Sequence, residues 1–266
     1  MPRKLVVLLA LSCLIFLVAS GADSSSTETL TQPATAVRIP VTLGSQSRPS
    51  QHWGFSLGVP SVVPNNPNVD IYPWFPDGHI AILWDGPERW LMFWAEYKSY
   101  RTVGIGPFPE NQTVRSPESS VFGGRGGDGW DNGGSWLNSV FRLSASRLVG
   151  FYHAEDHWTV PNPEYRAWKS IGVTYSTDNG MTWQPGERII TAWKARPETP
   201  EWGGAGDHSV IWDAARQRWV CFYQEQVENG EAQIHVAVSY DPAGSPGTWY
   251  EWDGDDFTAP GLGGKG

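Results

Sequence analysis

Seven consecutive residues, Tyr152-His153-Ala154-Glu155-Asp156-His157-Trp158, bring two histidines, two carboxylates and two aromatic rings together. Imidazole and carboxyl groups at that density can exchange protons with a substrate, and an acid beside apolar rings is expected to titrate high. Glu155 is therefore the expected general acid, with His153 as its orienting partner. Asp77 and Asp207 are the other expected catalytic carboxylates. They open two similar stretches, Asp77-Gly-His-Ile-Ala-Ile-Leu-Trp-Asp and Asp207-His-Ser-Val-Ile-Trp-Asp, and His208 beside Asp207 joins the binding candidates. The corresponding point of a third stretch, Trp136-Leu-Asn-Ser-Val-Phe-Arg-Leu, holds Asn138, which cannot titrate. His153 and His157, four residues apart, would align as metal ligands on a helix. The aromatic run before them reads as a strand and Pro161 and Pro163 follow, so neither a metal nor any other cofactor is expected.

The elements that must position these groups are repeated. Three segments superpose, each a short strand, a polar turn and a second, aromatic-rich strand ending near a Glu, at Glu96, Glu155 and Glu225. Their marker arginines, Arg89, Arg147 and Arg218, are spaced by 58 and 71 residues, a step that suits a four-stranded propeller blade with loops. Further β-type runs follow at Ile171–Trp183 and Ile234–Trp249, and Glu187–Thr191 supplies a fourth strand. The apolar period is near two throughout, between Gly, Pro, Asn and Asp turns, which predicts an all-β fold, a β-propeller of four-stranded antiparallel blades. A β-sandwich is the alternative.

Ser176-Thr-Asp178-Asn-Gly180-Met-Thr-Trp183 resembles the Asp-box turn of sialidases and other propellers. Its four defining residues, Ser176, Asp178, Gly180 and Trp183, are expected to hold the fold: the acid binds turn amides, the glycine takes a positive φ and the indole wedges between layers. The wider pattern across residues 70 to 260 resembles the five-bladed propeller glycoside hydrolases of the arabinanase, xylosidase and invertase type (families 32, 43 and 62). That resemblance implies three carboxylates from different blades meeting at a central channel: one donates a proton to the leaving oxygen while an ionised one attacks or activates water. Asn138 departs from such a set. Val37-Arg38-Ile39-Pro40 is similar to the Arg-Ile-Pro motif of sialidases, which implies exo-sialidase activity as an alternative; a non-catalytic carbohydrate-binding propeller is another.

The remaining features concern partners and location. Pro2-Arg3-Lys4, an apolar run from Leu5 to Ala19 and small residues to Ala22 read as a secretory signal peptide over residues 1–22, followed by a polar leader over 23–35 and the propeller domain over 36–266. The protein is thus expected to be secreted, with no membrane partner once the signal is removed. With 28 acidic against 19 basic residues, net −9, nucleic acid is not an expected partner. Tryptophan, at 16, outnumbers both Phe and Tyr. Trp84, Trp90, Trp94, Trp212 and Trp219 recur at matching repeat positions and are expected in the core. Trp130, Trp136 and Trp202 lie on Gly-rich stretches, Trp158 closes the Tyr152–Trp158 segment, and all four are expected to stack on sugar rings. Five blades of about 60 residues would need about 300, more than residues 36–266 provide, so the chain reads as the first three to four blades of a longer propeller.

Overall fold

The computed structural model describes residues 77–107, 112–115, 117, 119–162, 164–226 and 231–266, together with the backbone of two strands, β1 (Val37–Val41) and β2 (Trp53–Leu57). The expected signal peptide and leader lie outside the described residues, and so does the side chain of Arg38. β1 and β2 pair antiparallel within a unit spanning Met1–Pro64; everything below belongs to the second unit, Asn65–Gly266.

That second unit is all-β among its described residues. β3 (Ala81–Trp84), β4 (Arg89–Glu96), β5 (Lys98–Ile105) and β6 (Gln112–Arg115) form one antiparallel four-stranded meander. A second is built from β7 (Gly134–Arg142), β8 (Leu148–His157), β9 (Ala167–Ser176) and β10 (Glu187–Thr191). The third comprises β11 (Gly203–Asp213), β12 (Arg218–Gln226), β13 (Ala232–Ser239) and β14 (Trp249–Trp252), with β15 (Phe257–Pro260) added at its edge. A two-residue parallel ladder, Gly203 with Trp168 and Gly204 with Lys169, joins the second meander to the third. The sheets are open rather than closed on themselves.

Successive side chains of a strand point to opposite faces, so one strand can serve two interfaces. Leu91 and Phe93 of β4 pack with Leu137, Val140, Leu148 and Tyr152 of the second meander. The alternate residues of β8, Val149 and Phe151, pack instead with Trp219, Cys221, Tyr223 and Trp249 of the third. β8 is sandwiched in this way, which is why eight of its ten residues are buried.

The same parity corrects two sequence expectations. Counted from their marker arginines, Glu96 and Glu225 stand seven residues on and Glu155 eight, so Glu155 lies on the opposite strand face from the residues it was aligned with. Trp84, expected in the core, is 59 % exposed at the turn end of β3, where its cross-strand neighbour is Trp90. Trp94 and Trp219 are buried as expected.

The Ser176–Trp183 turn is tied by its own side chains. Ser176 Oγ accepts from the Gly180 amide at 2.9 Å, and Asp178 Oδ1 accepts from the Thr182 amide at 2.9 Å. Gly180 has φ +82° and lies against Phe93, so a glycine is required both for the conformation and for the space. A turn of the same design closes β13: Asp241 accepts from the Ser245 amide at 2.8 Å, and Trp249 enters the core. Its longer insertion, Pro242-Ala-Gly-Ser-Pro-Gly, hides the match in sequence.

Candidate functional site

The first strands of the second and third meanders, β7 and β11, each carry a β-bulge, and the bulges fall at Asn138 and at Asp207-His208. An extra residue on one strand re-aims side chains, and such irregularities recur next to binding sites. At the β11 bulge Asp207 takes a left-handed φ of +50°, uncommon for a residue with a Cβ. The turn swings its carboxylate outward, where the side chain is 56 % exposed, while His208 is driven fully inside.

The second meander holds that conformation. The Asp207 backbone N–H donates to His153 Nδ1 at 3.0 Å. Because Nδ1 accepts, the ring proton of His153 is on Nε2, which faces Glu155 Oε1 at 3.5 Å. The other Glu155 oxygen accepts from His157 Nε2 at 2.9 Å. Lys169 of β9, directly across the ladder from Glu155, reaches the Asp207 carboxylate at 2.9 Å. The result is a continuous line, His157–Glu155–His153–Asp207–Lys169, built from β8, β9 and β11. It requires Gly206, since a Cβ there would stand 2.7 Å from the His153 ring.

The electrostatics follow from that line. Burial pushes the Glu155 carboxyl up, but the hydrogen bonds from His153 and His157 outweigh it and hold the group below its ordinary value. The expected upward titration of Glu155 is not found: the rings nearest its carboxyl are imidazoles that hydrogen-bond its ionised form. Asp207 is likewise held low, burial being outweighed by His153 and Lys169. His208 is pushed down to about 3 by burial, then by His153 and His79, so it is neutral at physiological pH.

The other expected residues are distributed differently. Asp77 is exposed just before β3, tied through its backbone N–H to the Ala95 carbonyl at 2.9 Å; a Cβ on the following Gly78 would lie 3.3 Å from Asn138 Oδ1, so this segment borders the β7 bulge. Trp136 is buried edge-on to His153, with ring centroids 5.1 Å apart. Trp158 is buried with Trp168 and Ala192, beneath the Arg196 guanidinium, and Trp130 is half-buried against Tyr152 and Arg188. Of these four rings only Trp202, 47 % exposed just before β11, presents a substantial surface to solvent. The glycines around these rings are strand residues as well as loop residues: Gly134, Gly203, Gly204 and Gly206 lie within β7 and β11 and admit packed side chains. Lys169 escaped the sequence reading. Its one signal is a lysine inside the otherwise uncharged run Ala167-Trp-Lys-Ser-Ile. No group of three or more His, Cys, Asp or Glu placed to hold a metal occurs among the described residues.

The fold and site define an all-β protein of repeated antiparallel meanders with a charged, histidine-bearing line at one inter-sheet edge. A solved structure titled "Glycoside hydrolase" is similar with a TM-score of 0.47 and 16 % identity, covering 78 % of this chain and 63 % of that one. The chain thus spans less than two thirds of that protein's length. No protein-family model matches the chain, and no curated protein does.

Proposed function

We propose that the protein is a secreted, glycoside hydrolase-like protein that acts on a polysaccharide or oligosaccharide, and that its three meanders are blades of a β-propeller whose Ser176–Trp183 turn is an Asp box. The observation that carries the functional reading is Asp207: an outward carboxylate on a left-handed bulge, kept ionised by Lys169 and positioned by His153. An ionised carboxylate so fixed can attack an anomeric carbon or activate water, while Trp202 offers a ring face for a sugar. Glu155, also ionised, orients His153; the proton donor is then Asp77, the exposed acid beside Asn138. The test is turnover on a panel of aryl glycosides and polysaccharides. Wild-type activity that falls by at least about 100-fold in Asp207→Asn supports the reading, and a wild type inactive on the whole panel sinks it.

A non-catalytic carbohydrate-binding role is the second reading, favoured by Asn138 at the third strand position and by the low titration of both Glu155 and Asp207, which leaves no protonated acid within the line. Glycan binding that survives Asp207→Asn, without turnover by either protein, distinguishes it.

A further inference from the structure

A second group of ionisable side chains lies away from this line, between β10 and the third meander. Glu225 of β12 and Glu251 of β14 are both fully buried, 1 % and 0 % exposed. Glu225 Oε1 accepts the Trp193 backbone N–H at 3.1 Å, while Oε2 has no hydrogen bond and stands 3.9 Å from His235 Nδ1. Neither Glu251 oxygen is held by a well-formed hydrogen bond, although the Tyr223 hydroxyl and the Gly266 amide lie alongside. Two carboxyls sealed with so little to bind their charge are tolerated far better protonated than ionised.

The segment Gly261–Gly266 closes over them. The Thr191 N–H at the end of β10 donates to the Gly261 carbonyl at 2.8 Å, and the Gly261 N–H donates to the Trp249 carbonyl at 2.9 Å. Thr191 also bridges to Leu262, and the Lys265 ammonium stands 4.6 Å over the Trp193 ring. The strap therefore clasps the second meander to the third while touching both acids, Glu225 through Trp193 and Glu251 through Gly266.

We propose that this seam is a pH-operated latch, with Gly261–Gly266 as the clasp and the buried Glu225–Glu251 pair as the trigger. Burial pushes Glu225 up to about 7 and Glu251 up to about 8, the latter raised further by Glu225. Both folded values exceed the ordinary 4.5 of an unfolded Glu. The stability tied to the protonated pair is therefore complete below about 4.5 and is lost as pH rises through about 7 to 8. The other groups facing the pair do not reverse this sign. Tyr223 and Cys221 are pushed up by burial and stay neutral, and His235 is pushed down and brings no positive charge. Lys265, over Trp193, is the one cation on the strap.

Hydrogen exchange on the full chain, normalised to intrinsic rates, reads the latch directly at the Thr191 and Gly261 amides. Between pH 6 and pH 9 their protection should fall at least about 10-fold relative to that of Val149 and Phe151 in β8. In Glu225→Gln with Glu251→Gln the fall should disappear. Equal protection at both pH values in wild type, or the same fall in the variant, overturns the proposal. Should the double variant not fold, carboxyl carbon NMR of wild type decides: titration of both side chains near 4.5 overturns the latch, and titration near 7 to 8 supports it.

Discussion

The Asp207 backbone N–H is hydrogen-bonded to His153 Nδ1 at 3.0 Å, from the third meander to the second. The bond explains how a residue with a Cβ is kept at φ +50° and why the carboxylate that follows faces solvent. It also fixes the His153 tautomer, and through it the contact with Glu155.

Removing the acceptor should release the bulge. His153→Phe leaves a partly buried N–H unsatisfied, costing about 1–3 kcal/mol of stability, and should lower carbohydrate turnover or binding at least about 10-fold. Gly206→Ala, which puts a Cβ 2.7 Å from the same ring, should do the same without altering any ionisable group. Urea denaturation gives the first quantity and titration with the best glycan the second; a Gly206→Ala protein as active as wild type would refute the coupling.

The line should fail on the acid side. Glu155 and Asp207 have folded pKa values below their ordinary ones, 4.5 and 3.8, so the stability they contribute is present above those values and lost as pH falls through the lowered ones. Lys169→Met removes a charge that holds Asp207 low and should move the acid limb of an activity or binding profile to higher pH. An unmoved acid limb in that variant would assign the limb to another group.

The Ser176–Trp183 turn should matter for stability alone. Gly180→Ala combines a left-handed φ with a Cβ 2.6 Å from Phe93, and a loss of about 1–3 kcal/mol is expected. Asp178→Ala removes acceptors for the Thr182 amide and the Ser176 hydroxyl, at about 0.5–1.5 kcal/mol. Thermal melts of both variants should drop while the glycan affinity of the folded protein stays put.

Two tryptophans near the line should separate cleanly. Trp202→Ala is expected to weaken glycan binding with little change in stability, because nearly half of the residue already lies in solvent. Trp158→Ala should instead cost about 3–5 kcal/mol, since the ring is packed on Trp168 and its Nε1–H donates to the Pro197 carbonyl at 3.0 Å. Calorimetry and denaturation on the same two proteins compare the outcomes.

Much of the local architecture is legible in the residue order. The period-two runs around Arg89, Arg147 and Arg218 mark strand pairs because alternation and turn chemistry are local properties of a chain. Ser176-x-Asp178-x-Gly180 marks its turn for the same reason. The density of His153, Glu155 and His157 marks a site, since side chains two apart on a strand must share a face. What sequence could not decide is which sheet covers that face. Glu155 and Glu225 look equivalent as letters, yet one residue of parity sends them to opposite faces, Glu155 among imidazoles that lower its proton affinity and Glu225 into a dry seam that raises it. Likewise Trp136 and Trp202 both sit by glycines, and only the packing of one meander on the next buries the first and leaves the second in water. Proton affinity and exposure are set by neighbours remote in sequence, through desolvation and through bonds such as that from Asp207 to His153, and those neighbours exist only once the sheets have stacked.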